Sequence, residues 1–188
     1  MKYLKTLLGM GLYIVILSLC WLVYVNFIKV NVVFYSALGA VVISLMVQAL
    51  IVIVLPLLNN FSLFEKIQHL ISCALIGYIL AISVPTVIDR SLSFYILEKL
   101  QQRGGEIKLN QFEKVFTQEY LQEYRLVDVR LTEQLESGTI RIKNGTVKLT
   151  EKGDNIASFG QMFRKNFLPK HRLLMGTYSD DLTNPFKK

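Results

Sequence analysis

Three long runs without a charged side chain dominate the first half of the chain: residues 7–27, 32–58 and 67–88. Each is long enough to cross ~30 Å of hydrocarbon as a helix. Lipid offers no partner to an unpaired peptide group, so a crossing segment must satisfy its own backbone as a helix. Gln68, His69 and Gly77 interrupt the third run mildly, and Pro85 lies near its end. The second run is the longest and is expected to tilt or to rest one end in the interface. The 188-residue chain is 19% charged, against about 25% in ordinary soluble domains. Its charges are unevenly spread: residues 1–88 carry only Lys2, Lys5, Lys29, Glu65 and Lys66. The remaining 100 residues carry 17 basic and 13 acidic side chains. This pattern excludes a single soluble globule, a disordered chain and a disulfide-rich scaffold. It predicts a transmembrane domain over 1–88, a polar domain over 89–167 and a basic, apolar tail over 168–188.

The breaks between the runs are short. Asn26 to Asn31 makes the first turn and Asn59 to Ser62 the second. Ser62 followed by Glu65 reads as a capping box that starts the third helix near Leu63. Trp21, Tyr24, Phe27, Phe34, Tyr35, Phe61 and Phe64 fall near the predicted ends, where amphipathic rings prefer to sit. The first run is too long for a signal peptide and no small-residue cleavage site follows it. Leu17-Ser18-Leu19-Cys20 faintly resembles a lipobox, but Leu19 is too large and the apolar run continues past it. Cys20 and Cys73 both lie at membrane depth, so no disulfide framework is implied.

Two helices carry a small or polar residue every fourth position. These are Ser36, Ala40, Ser44 and Gln48 on the second, and Cys73, Gly77 and Ala81 on the third. Such faces let helix backbones approach closely. They either pack on each other within the chain or dock another membrane protein. Gln48 needs an interhelical partner. No intramembrane Asp, Glu, Lys or Arg is present, which argues against a transporter or pump. Three crossings put the termini on opposite sides. With the C-terminal half inside, Lys29, Arg90, Lys99, Arg103 and Lys108 lie near the inner face, and Lys2, Lys5 and Lys66 near the outer. The basic bias favours a cytoplasmic C-terminal half.

In the polar half, Asp89 or Ser91 is placed to cap a helix over 92–102, with Phe94, Ile96, Leu97 and Leu100 as its apolar face. Gly104-Gly105 stops it. Asn110 with Glu113 resembles a second capping box, opening a short helix through Phe116. A further helix covers 125–136, with Leu126, Val129, Leu131 and Leu135 available for burial, and Ser137-Gly138 ends it. Residues 139–143 and 146–150 alternate like strands around Asn144-Gly145, a strong two-residue hairpin signal. A last helix runs from Glu151 to about Asn166, and residues 176–188 read as a flexible polar tail.

This order, and above all Glu136-Ser137-Gly138-Thr139-Ile140, the hairpin and then Leu149-Thr150-Glu151-Lys152-Gly153, resembles a winged helix with a MarR-like wing over residues 91–167. The fold class expected is therefore mainly α: three transmembrane helices followed by a small α+β winged-helix domain. The resemblance implies that Ile140 and Leu149 point inward and that Thr150 caps the last helix. It also raises DNA binding, for which Arg125, Arg130, Arg141, Lys143 and Lys148 are the candidate contacts. A DNA reader needs basic or amide side chains on the outer face of its recognition helix. Here Glu123, Asp128, Glu133 and Glu136 make that region acidic. Protein contact is the preferred use, since fold does not dictate function.

A basic cluster follows. Arg164, Lys165, Lys170, His171 and Arg172 are interleaved with Met162, Phe163, Phe167, Leu168, Leu173, Leu174 and Met175. Its two readings are an anionic membrane surface and a solvated helix end favouring cations through its dipole. Asp89, Arg90 and Ser91 form a polar trio at a membrane boundary. They either grip a phosphate or simply cap a helix beside a snorkelling arginine. No glycine-rich phosphate loop, metal-ligand spacing or nucleophile elbow is recognised, so no cofactor and no catalytic residue is expected. The leading expectation is a non-catalytic adaptor or regulatory subunit, in contact with membrane lipids and another membrane protein, in a bacterial envelope assembly handling lipid-linked glycans. The alternatives are a membrane-tethered transcription regulator and an interfacial lipid-binding or lipid-processing protein.

Overall fold

The computed structural model describes residues 2–54, 61–183 and 185. Its contacts divide the chain into two units, Met1–Leu126 and Val127–Lys188. The division falls inside 91–167, the stretch that carries the winged-helix resemblance.

The first unit opens with three long helices, α1 (Lys2–Phe27), α2 (Val33–Val54) and α3 (Leu63–Arg90), all long and apolar enough to cross a membrane. Asn59, Asn60 and the predicted end of the second run lie outside the described residues. The capping box forms as expected: Ser62 Oγ accepts from Glu65 N at 3.3 Å, and Ser62 N donates to Glu65 Oε2 at 2.7 Å. Lys2 Nζ meets Glu65 Oε1 at 2.8 Å, so the starts of α1 and α3 share one end of the bundle and α2 runs against both.

α1 and α3 each bury one narrow stripe, Gly9, Tyr13 and Leu17 on α1 and His69, Cys73, Gly77 and Ala81 on α3, while the central α2 buries Ser36, Ala40, Ser44 and Gln48 together with Ala37, Val41 and Val52. The small-residue faces therefore do pack within the chain. Pro85 has no N–H to give Ala81, and α3 passes through a π-helical turn at Ile82–Thr86. The Thr86 hydroxyl donates to the Ala81 carbonyl at 2.8 Å, the kind of side-chain repair that lets proline sit in a membrane helix.

Ser91 accepts from Phe94 N at 3.3 Å and starts α4 (Leu92–Gln102). Gly104 and Gly105, at φ +80° and +99°, end it, with Gly105 N donating to Leu100 O at 2.8 Å. The apolar face expected for α4 is not the buried one. Phe94 is 42% and Leu97 63% exposed, whereas Tyr95 and Lys99 are buried. The capping box at Asn110 and Glu113 does not form. Instead the chain is helical from Leu109 to Glu123, with a 3-10 start, a π-helical stretch at Val115–Tyr120 and a last turn at Leu121–Glu123. Residues 112–123 are called α5.

The second unit begins one residue into α6 (Leu126–Glu136) and takes in β1 (Ile140–Lys143), β2 (Thr146–Leu149) and α7 (Glu151–Phe167). Arg125, expected on α6, stands before it at φ +44°. α6 has no buried residue; the four side chains expected to pack are at most partly covered, with Val129 39% and Leu135 41% exposed. Asn144 and Gly145, both at positive φ, turn the hairpin, and Lys143 pairs with Thr146. Thr150 caps α7 by accepting from Gly153 N at 3.1 Å. A second hairpin, β3 (Arg172–Leu174) and β4 (Thr177–Ser179), turned by Met175 and Gly176 at positive φ, joins the end of the basic segment to the first residues of the tail expected to be flexible.

Candidate functional site

The deepest polar cluster lies between the three long helices. Gln48 of α2 and His69 of α3 are 0% and 2% exposed. Gln48 Nε2 lies 3.1 Å from the Gly9 carbonyl of α1 and 3.1 Å from His69 Nε2. The Gly9 carbonyl accepts only, which fixes the amide nitrogen on that side. The same nitrogen then donates to His69 Nε2, so the imidazole proton belongs on Nδ1. Cys73 Sγ stands 3.6 Å from the same Nε2. One turn deeper, Ser44 Oγ bonds the Val41 carbonyl at 2.9 Å and reaches Tyr13 Oη at 3.4 Å.

Gln48 Oε1 and His69 Nδ1 are buried without a hydrogen-bond partner. The node sits six residues into α3, about 9 Å along its axis at 1.5 Å per residue. Glycines make room for it. A Cβ on Gly9 would lie 2.8 Å from His69 Cε1, and one on Gly77 would lie 2.2 Å from Tyr13 Oη. Beyond the node the bundle opens into an apolar recess of about 200 Å³, lined by Leu17, Trp21, Ala40, Leu80 and Pro85 among others. The node's chemistry is interhelical hydrogen bonding at depth. Among the described residues no three His, Cys, Asp or Glu side chains are grouped to hold a metal.

His69 and Tyr13 lie outside the two small-residue faces expected from the sequence. The signal was present: His69 extends the Cys73, Gly77, Ala81 series by one step of four, and Gly9, Tyr13 and Leu17 repeat the same step.

A second cluster joins α4 to α5. Lys99 Nζ lies 2.9 Å from Glu119 Oε2 and 2.5 Å from Glu123 Oε1. Arg103 reaches the other oxygen of Glu119 at 2.6 Å, and Tyr95 Oη donates to Glu123 Oε2 at 2.9 Å. The rings of Tyr95, Tyr120 and Tyr124 pack with centroids 4.6–5.4 Å apart. The bond from Lys99 holds Glu123 below the usual carboxylate range, and Lys99 does the same for Glu119. Those bonds hold the Lys99 ammonium above its ordinary value. Burial, and then the bond to Glu123, push Tyr95 up to about 12. These groups stabilise one another's charges and close the seam between two helices.

Of the trio at the membrane boundary, the Ser91 hydroxyl serves as the helix cap and Asp89 is exposed. In the second unit, Ile140 pairs with Leu149 and Ile142 with Val147, while Arg141 pairs with Lys148. Directly paired residues share a face, and alternate residues along a strand change face. The hairpin is therefore a ribbon with an apolar face of Ile140, Ile142, Val147 and Leu149 and a basic face of Arg141, Lys143 and Lys148. Leu149, expected to point inward, is 53% exposed, and Ile142 and Val147 are close behind. Arg130 pairs with Glu133 at 2.7 Å on its own helix.

The hairpin's root is tightly joined to α7. Thr150 N and Oγ1 both donate to the Thr139 carbonyl at 3.0 Å, and Lys152 Nζ bonds the Ser137 carbonyl at 2.6 Å. Thr139 also bonds the Gln134 side chain. A Cβ on Gly153 would come within 2.1 Å of the Thr139 carbonyl oxygen. That approach explains the Leu149-to-Gly153 pattern in physical terms. Arg164, Lys165 and Lys170 are exposed, and Arg172 donates to the Pro169 carbonyl at 3.2 Å. Comparison with family models, with curated proteins and with solved structures gives no match.

Proposed function

We propose that the chain is a non-catalytic adaptor or regulatory subunit, moored in a bacterial inner membrane by its three helices. Its C-terminal half lies on the cytoplasmic side, where a winged-helix module makes protein contacts. The observation that carries this reading is the two-faced hairpin: three of its four apolar side chains remain roughly half exposed. A row of paired β-branched and leucine side chains on a short ribbon is poorly suited to water and well suited to a partner's apolar surface. The partner expected is another membrane protein, and the setting an envelope assembly that handles lipid-linked glycans.

A regulator that reads DNA is the second reading, and the basic hairpin face favours it. The pairing of Arg130 with Glu133 weighs against it. The test is recovery of the full chain from native membranes in mild detergent. The adaptor reading expects one stoichiometric membrane partner, lost on Ile142→Ser with Val147→Ser. Salt-dependent DNA binding by the detergent-solubilised full chain, abolished by Arg125→Glu with Arg130→Glu, would replace that reading with the regulator.

A further inference from the structure

The stretch from Asn155 to Ser179 contains no Asp or Glu, yet holds Arg164, Lys165, Lys170, His171 and Arg172. Within it α7 carries an aromatic ladder. Phe159 and Phe163 have ring centroids 5.9 Å apart, and Phe163 and Phe167 stack at 5.2 Å. Spacing of four sets these rings along one side of the helix, with Ile156 on the same side. All are open: Ile156 is 53%, Phe159 59%, Phe163 41% and Phe167 66% exposed. Among the described residues no carboxylate pairs with Arg164, Lys165 or Lys170, whereas His171 Nδ1 meets the Asp180 carboxylate and is not counted with them. Past the helix, the β3–β4 turn presents Met175 at 86% exposure.

An apolar helix face and unneutralised cations in one short stretch match the chemistry of an anionic leaflet: rings among the upper acyl carbons, ammonium and guanidinium groups among phosphates. A solvated helix end accounts for the cations but not for a four-residue apolar row left bare. The three spans of the same chain guarantee a bilayer at high local concentration. We infer that α7 and the β3–β4 turn form an interfacial anchor that binds the anionic phospholipids of the bilayer holding the chain. This site is separate from the hairpin face offered to a protein partner, and neither depends on the other.

The test uses the full chain in liposomes, with Phe163→Trp as reporter in a Trp21→Phe background. Phe163 is partly exposed, so the reporter perturbs no core. In phosphatidylglycerol-containing liposomes the reporter emission shifts to the blue and is quenched by lipids brominated at shallow acyl positions. In pure phosphatidylcholine, or after Arg164, Lys165, Lys170 and Arg172 are changed to Gln, quenching drops at least about fivefold, since each cation near an anionic surface multiplies the affinity several-fold. Emission that stays water-like in phosphatidylglycerol overturns the inference. A blue shift indifferent to lipid charge, or one that follows protein density and so marks a second copy, overturns it equally.

Discussion

Gly77 of α3 faces Tyr13 of α1 so closely that an added Cβ would stand 2.2 Å from the phenol oxygen. The contact fixes where two helices cross. Tyr13 is fully buried and has no room to retreat, because Ser44 and Gly77 crowd it from the other two helices. Gly77→Ala is therefore expected to cost about 1–3 kcal/mol, the usual range for overpacking a close-packed interior. Gly11→Ala, with nothing within 4 Å of its Cβ, is expected to be neutral. Unfolding in mixed micelles of rising SDS content measures both.

The Gln48–His69 bond predicts a modest coupling. Interhelical side-chain hydrogen bonds in membranes are worth roughly 0.6 kcal/mol, reaching about 1.7. A double-mutant cycle of Gln48→Leu and His69→Phe in the same assay is expected to fall in that interval. A coupling indistinguishable from zero would mean that the node merely fills space.

The Lys99 cluster predicts where pH loosens the α4–α5 seam. Glu119 and Glu123 have lowered values in the folded chain, so their contribution is present above their ordinary 4.5 and is lost as pH falls through the lowered values. Tyr95 has a raised value, so its contribution is complete below 10 and fades as pH rises toward about 12. Hydrogen-exchange protection across 92–123, taken relative to the intrinsic exchange rate at each pH, is expected to be highest between these limits. Lys99→Met should quicken exchange there at neutral pH and leave the three spans unchanged.

The hairpin root predicts a sharp contrast between two glycines on α7. Gly153→Ala puts a methyl 2.1 Å from the Thr139 carbonyl and should open 137–153 to protease. Gly160→Ala, in open space, should not. Thr150→Val removes the cap and is expected to cost about 1 kcal/mol.

The three spans, the Ser62 capping box, the glycine stops and the Asn144-Gly145 hairpin were legible because each is written in adjacent residues. What escaped depends on partners far along the chain. Lys99 reads as a solvated lysine until Glu119 and Glu123 arrive from 20 and 24 residues away; their charges, with the Tyr95 ring, let it be buried in place of Phe94 and Leu97. The sequence signals a helix only as far as Phe116, because the second half of 109–123 lacks an apolar period and is held by the tyrosine and glutamate contacts to α4. The β3–β4 turn was missed because Met175, not a usual left-handed residue, precedes Gly176. In the buried node, Cys73 and Gly77 read from the sequence as small packing residues, while Gly9, which gives His69 its room, lies 60 positions away.

Three crossings would put the two ends of the chain on opposite faces of a bilayer. A membrane-impermeant maleimide applied to cells carrying Tyr3→Cys or Asp181→Cys, each in otherwise unchanged protein, tests it directly. The expected result is labelling of Cys at position 3 in intact cells and at position 181 only after permeabilisation. Labelling of both from the same side would contradict three spans, and labelling of position 181 alone from outside would overturn the cytoplasmic placement.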